Sequence, residues 1–279
     1  LRGGAGRDIA LTQQPRVSMK RQAYNTEGGP IWVWGEPDAF KGAKPIVFVI
    51  LGAFAVERGA MFNLQAYLPE ADVFIAHLPG NFTPSPRDHS IATYASSFSQ
   101  VLTYLARPAV VIGVSIGALV GFSLTSPNVA AMVALDPPLT MGKAWPLLAN
   151  FRERLSNHPD DQALAEFLWN IFGISSDEHV ERNYIHLLDN IKVPTWVIYG
   201  EEPLYPERAV TTLPSLVDEP ERVLLRSHPH VTTGLMRNTG HNIPRVGYED
   251  IINVTRGLLS KLPAGGESVG SGDGTSETG

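Results

Sequence analysis

The hydrophobic positions of this chain fall into short unbroken runs separated by longer stretches with helical spacing. Ile46-Val-Phe-Val-Ile-Leu51 is apolar throughout, rich in β-branched residues, and ends at Gly52. Such a run predicts a strand covered on both faces, as in a parallel sheet. Residues 73–76, 109–112, 131–135 and 195–199 repeat the pattern. Between them, residues 91–105 place Ile91, Tyr94, Ala95, Phe98, Val101, Leu102 and Leu105 on one stripe, which predicts an amphipathic helix. Ahead of these, residues 16–23 and 31–34 are short alternating or aromatic runs bounded by Gly and Pro, and they predict an opening hairpin. Strands alternating with helices predict an α/β protein with a mostly parallel central sheet flanked by helices.

One stretch breaks the alternation. Between Asp136 and Thr195 the apolar residues, among them Phe151, Leu155, Leu164, Phe167, Leu168, Ile171, Phe172, Leu187 and Leu188, recur at helical spacing with no strand-like run. An insertion of this length after the sixth strand predicts a helical cap over the carboxyl ends of the strands, where open α/β sheets bind ligands. The expected organisation is an extension over residues 1–15, a core over 16–138 and 193–262, a cap over 139–192, and a disordered tail over the Gly- and Ser-rich 263–279. The longest apolar run, 45–56, is interrupted by Gly52 and falls short of the roughly 18 to 20 residues a membrane span needs. The opening Leu-Arg-Gly-Gly-Ala-Gly-Arg lacks the apolar core of a signal peptide, and the chain begins at Leu1 rather than Met. A bacterial cytoplasmic protein without a membrane span is the expectation.

Composition narrows the chemistry. With 279 residues, 43% hydrophobic and 18% charged, the chain has the makings of a substantial core. A net charge of -6 argues against nucleic-acid binding, which needs a basic face. Part of that charge lies in the tail, where Glu267, Asp273 and Glu277 follow the last basic residue, Lys261. The absence of cysteine removes disulfides, a thiolate nucleophile and Cys-ligated metals. No cofactor or metal is expected, since His228 and His230 have no acidic partner at ligand-like spacing.

The chemistry-bearing motif is Gly113-Val-Ser-Ile-Gly117, which follows the run 109–112 and precedes the helical pattern 118–124. Glycines on either side of a serine suit a sharp strand-to-helix turn that holds the hydroxyl up and exposed. The N–H of Ile116, at the start of the following helix, points where a negative oxygen would form. A second donor is expected from the loop after the strand ending at Leu51, at Ala53. Serine needs a base. His241, in Gly240-His241-Asn242 ahead of a terminal helix over 248–262, is the histidine best placed to supply it. His77 follows the run 73–76 and either lines the pocket or caps the strand. His89, His158, His179 and His186 are expected on the surface.

In this order, the Gly after the first buried strand, His77-Leu-Pro-Gly80, Gly113-Val-Ser-Ile-Gly117, the helical insertion, Val193-Pro-Thr-Trp-Val-Ile-Tyr-Gly200 and Gly240-His241 resemble the α/β-hydrolase superfamily over roughly residues 20 to 262. The resemblance implies Ser115 as nucleophile, His241 as base, and Ala53 with Ile116 as oxyanion donors. Two features depart from the superfamily's usual pattern. Leu51-Gly52 stands where most members have His-Gly, and Pro203 occupies the usual position of the acid after Gly200. Two acids remain open: Asp136 at the end of the preceding strand, a position used by some thioesterases and lipases, and Glu202. The resemblance implies hydrolysis of a carboxylic ester or thioester. The aromatic side chains of the cap suggest a small-molecule acyl or aryl substrate held by Phe54, Trp145, Trp169 and Phe172, the alternative being that the cap's aromatics form its own core. C–C bond hydrolysis or lyase chemistry on the same fold, and a non-catalytic ligand-binding homologue, are the alternatives.

Overall fold

A computed structural model describes residues 18–55, 61, 63–202 and 213–262. The extension 1–15, the tail 263–279 and Pro203 lie outside the described residues. Eight strands form one sheet in the order β1-β2-β4-β3-β5-β6-β7-β8. Strands β1 (Lys20–Thr26) and β2 (Gly29–Gly35) make an antiparallel hairpin, and β2 joins β4 (Asp72–Ala76) antiparallel. From β4 through β3 (Ile46–Ile50), β5 (Ala109–Val114), β6 (Val129–Leu135) and β7 (Thr195–Gly200) to β8 (Val231–Met236), every neighbouring pair is parallel. The first strand begins at Lys20, later than the expected 16–23, because its pairing is fixed by the turn at Thr26↔Gly29 and by the partner Gly35 at its other end.

The buried strands account for the continuous apolar runs. In β3, Ile46, Phe48 and Ile50 face one core, and Val47 and Val49 face the other. The first core is closed by α2 (Ile91–Leu105), which contributes Tyr94, Phe98, Val101 and Leu102, and by α3 (Ile116–Phe122). The second is closed by α1 (Leu64–Tyr67) and by the C-terminal helix Tyr248–Leu259, through Ile251, Ile252, Leu258 and Leu259. Ser90 starts α2 by accepting the Thr93 N–H at 3.1 Å, which satisfies one of the helix's orphan donors. The last strand departs from the apolar run: β8 reads Val-Thr-Thr-Gly-Leu-Met and lies at the sheet edge, where one face meets solvent.

Between β6 and β7 the chain is helical, with α4 (Trp145–Asn157), α5 (Gln162–Phe167), a π-turn over Leu168–Phe172 and a 3-10 turn over Ile185–Asn190. Phe151, Phe167 and Phe172 pack on one another, with ring centroids 4.8 and 5.9 Å apart. The same rings reach the loop after β3: Phe54 lies 5.6 Å from Phe151 and 5.3 Å from Phe167. No helix among the described residues is long and apolar enough to cross a membrane.

Candidate active site

The turn from β5 into α3 carries Ser115 at φ 53, ψ -117, a conformation that costs a non-glycine residue on the order of 1–3 kcal/mol. Tight packing over-determines it. The Ser115 N–H bonds the Leu135 carbonyl at 2.8 Å. A Cβ at Gly113 would meet the backbone of Ala118, and one at Gly117 would collide with the Ile50 carbonyl, so only glycine lets the elbow press against β3 and α3. The loop after β3 comes equally close: a Cβ on Gly52 would lie 3.2 Å from the Ser115 Cβ. Ala53 therefore borders the serine, as does Ile116 at the first position of α3.

The Ser115 Oγ lies 3.0 Å from His241 Nε2, and His241 Nδ1 lies 2.6 Å from Asp136 Oδ2. Asp136 is fully buried and also adopts a positive φ, 46°, which turns its side chain off the end of β6 toward the histidine. Its carboxylate has three further donors. Ser215 Oγ donates to Oδ1 at 2.5 Å, Gly200 N to Oδ1 at 3.4 Å, and Leu216 N to Oδ2 at 2.9 Å. When the carboxylate is ionised it only accepts, and that arrangement puts the His241 ring proton on Nδ1 and a lone pair at Nε2 toward the serine. The histidine side chain is 18% exposed.

Of the two acids left open by the sequence, Asp136 faces His241. Glu202 does not: it lines the cavity wall, its carbonyl accepts the Ser215 N–H at 2.8 Å, and the Nδ1 position it would need is taken. Ser115 and His241 open into a cavity of about 1040 Å³. Among the described residues, Leu51, Phe54, Met61, Val114, Leu213 and Val246 give it apolar walls, with Asn238, Asn242, Arg245 and Glu202 as polar ones. Phe54, at φ 54, is the one aromatic residue expected in the pocket that lines it. Trp145, Trp169 and Phe172 are not among the lining residues. Phe172 is only 4% exposed and packs on Phe151 and Phe167, and Trp169 lies under the Arg182 guanidinium at 5.1 Å.

The other histidines differ from expectation at one position. His89 is 2% exposed, with Nδ1 2.7 Å from the Tyr94 hydroxyl and its ring against Phe167. Burial holds it below the ordinary histidine range, against the raising influence of Glu166, Asp88 and Asp161. His77 is buried edge-on against Trp34 and Phe82 and does not line the cavity. The residues that the sequence left unmarked are Ser215 and Leu216. They sit in Leu213-Pro-Ser-Leu-Val217, which carries no motif that ties them to an acid 79 and 80 positions earlier.

The fold as a whole matches known structures. The chain has the α/β-hydrolase fold. Solved structures similar to it include a thermophilic esterase from Thermogutta terrifontis, with a TM-score of 0.60 at 17% identity over 87% of this chain and 98% of that one. A serine hydrolase involved in carbazole degradation gives 0.60 at 18% over 87% and 99%. An N-acyl homoserine lactonase complexed with N-hexanoyl homoserine gives 0.59 at 17% over 88% and 99%. No protein-family model and no curated sequence matches the chain. At these identities the α/β-hydrolase likeness establishes the fold, and the chemistry rests on the side chains.

Proposed function

We propose that this protein is a serine hydrolase that cleaves a carboxylic ester or thioester through an acyl-enzyme at Ser115. The observation that carries the reading is the unbroken relay of Ser115, His241 and buried Asp136 opening into one cavity. In this reading the Ser115 Oγ attacks the acyl carbon while His241 Nε2 takes its proton. Asp136 holds the ring in the right tautomer and stabilises the imidazolium, and the N–H groups of Ala53 and Ile116 receive the negative oxygen. The imidazolium then protonates the departing alcohol or thiol. Water, deprotonated by His241, releases the acid and regenerates the serine.

Residues 139–192 are read as a cap, and Phe54 as the apolar contact of the acyl or aryl group. The esterase, serine hydrolase and lactonase names of the similar structures agree with acyl-bond hydrolysis. The test is labelling with a fluorophosphonate alongside turnover of p-nitrophenyl esters and acyl-CoA thioesters. Wild type is expected to label at Ser115 and turn over at least one class. Ser115→Ala is expected to do neither, and labelling elsewhere or turnover by that variant refutes the mechanism. The ratio of the two turnover rates assigns ester or thioester.

A further inference from the structure

The segment 213–217 touches both partners of the serine. The Leu213 carbonyl accepts the His241 N–H at 2.9 Å, while Ser215 and Leu216 donate to the two oxygens of Asp136. Ser215 is itself pinned: its N–H bonds the Glu202 carbonyl at 2.8 Å, and its Oγ accepts the Val217 N–H at 3.2 Å. Its Oγ lies 2.5 Å from Asp136 Oδ1 and 3.4 Å from the Val217 carbonyl, so its proton goes to the nearer acceptor, Asp136 Oδ1, and the side chain is fully buried. Any residue at 216 would supply a backbone N–H. Among the described residues, the Ser215 hydroxyl is the only side-chain donor to this carboxylate besides His241.

We infer that Ser215 is a positioning residue of the reaction, holding the Asp136 carboxylate in the rotation that aims Oδ2 at His241. The inference rests on the triad reading above. Without the hydroxyl, the donor left to Oδ1 among the described residues is the Gly200 N–H at 3.4 Å, at the far end of hydrogen-bonding distance. The carboxylate is then free to rock about its Cβ–Cγ bond, and the 2.6 Å alignment with Nδ1 is held from one side only. Ser215 is fully buried and does not line the cavity, so the effect falls on the chemical step and not on binding.

The experiment compares Ser215→Ala, Ser215→Thr and Ser215→Val in the full chain, with active sites counted by fluorophosphonate titration. Threonine and valine have nearly the same shape and differ by the hydroxyl, so the pair separates hydrogen bonding from packing. In Ser215→Ala, kcat per labelled site on a p-nitrophenyl ester is expected to fall by about tenfold with KM changed by less than about twofold. Ser215→Thr is expected to exceed Ser215→Val by a similar factor. Equal kcat for Thr and Val, or Ser215→Ala within about twofold of wild type, overturns the assignment. Failure of all three to fold makes Ser215 a folding residue and overturns it as well. Ser115→Ala is measured beside them. Turnover retained there removes the triad reading itself, whereas an inactive Ser115→Ala with unimpaired Ser215 variants removes only the role of Ser215.

Discussion

Replacing Asp136 with asparagine tests the proposed relay most sharply, because the surroundings dictate how the amide must sit. Leu216 N–H is a fixed backbone donor at Oδ2, 2.9 Å away, so an NH₂ group placed there would face a donor. At Oδ1 the Ser215 hydroxyl can rotate and accept, and the backbone donor there, Gly200 N–H, is more distant at 3.4 Å. The amide oxygen of Asp136→Asn is therefore expected at the Oδ2 position, where it still accepts the His241 Nδ1 proton and keeps the productive tautomer. What is lost is the charge. For unit charges about 4 Å apart at an effective dielectric of about 20, the carboxylate stabilises the imidazolium by about 4 kcal/mol. At about 1.4 kcal/mol per decade, this corresponds to a loss of about three decades in rate. A wrong-tautomer substitution costs on the order of four decades in the serine-protease template, so the expected loss is somewhat smaller. The assay is kcat per titrated site on a p-nitrophenyl ester for Asp136→Asn and for Glu202→Gln. Glu202→Gln is expected to stay within about threefold of wild type, since that side chain does not meet His241. A loss of less than about tenfold in Asp136→Asn, or a larger loss in Glu202→Gln, would refute the reasoning.

Two further predictions concern stability. Lys143 faces the carboxylates of Asp218 and Glu221, and Glu221, 2% exposed, also accepts from the Thr140 hydroxyl at 2.9 Å. Lys143→Met strands a buried charge and is expected to destabilise the fold by about 3–5 kcal/mol in urea melts, with part of it recovered in the double variant with Glu221→Gln; an unchanged midpoint would contradict this. For His89, burial favours the neutral ring in the folded chain, so the unfolded chain binds its proton first as the pH falls. Its contribution is thus complete above the ordinary value of 6.5 and is lost as the pH drops below it. In thermal melts between pH 7.5 and roughly 5, His89→Gln is expected to flatten the decline in Tm seen for wild type, and parallel curves would show that other groups carry it.

Much of the architecture was legible because burial on both faces leaves a strand little chemical freedom. The runs at 46–51, 73–76, 109–112, 131–135 and 195–199 return as β3 to β7 with shifts of one or two residues at their ends. The N-terminal hairpin shifted further, since its register depends on the turn and its partner as well as on its own apolar pattern. The elbow was legible for a different reason. A strained serine flanked by close backbone contacts demands glycines at Gly113 and Gly117, and that demand is local in sequence.

The rest of the site was decided by contacts between distant segments. Asp136 and Glu202 follow neighbouring parallel strands, and with Leu135 paired to Ile198, Asp136 leaves the sheet level with Tyr199, three residues ahead of Glu202. Which one meets His241 depends on a positive φ at Asp136 and on donors delivered by residues 215 and 216, none of which leaves a local pattern. The aromatic residues of the insertion illustrate the same limit: their spacing groups Phe151, Phe167 and Phe172, but only packing shows that the group closes on itself and on Phe54. The sequence by itself determined the strands and the elbow that carries Ser115, because backbone sterics and burial act over a few neighbouring positions. Which carboxylate meets His241, the Ser215 hydroxyl beside it and the cavity walls were decided only in the tertiary structure, because a hydrogen bond across 105 residues, as between Asp136 and His241, depends on where the chain returns.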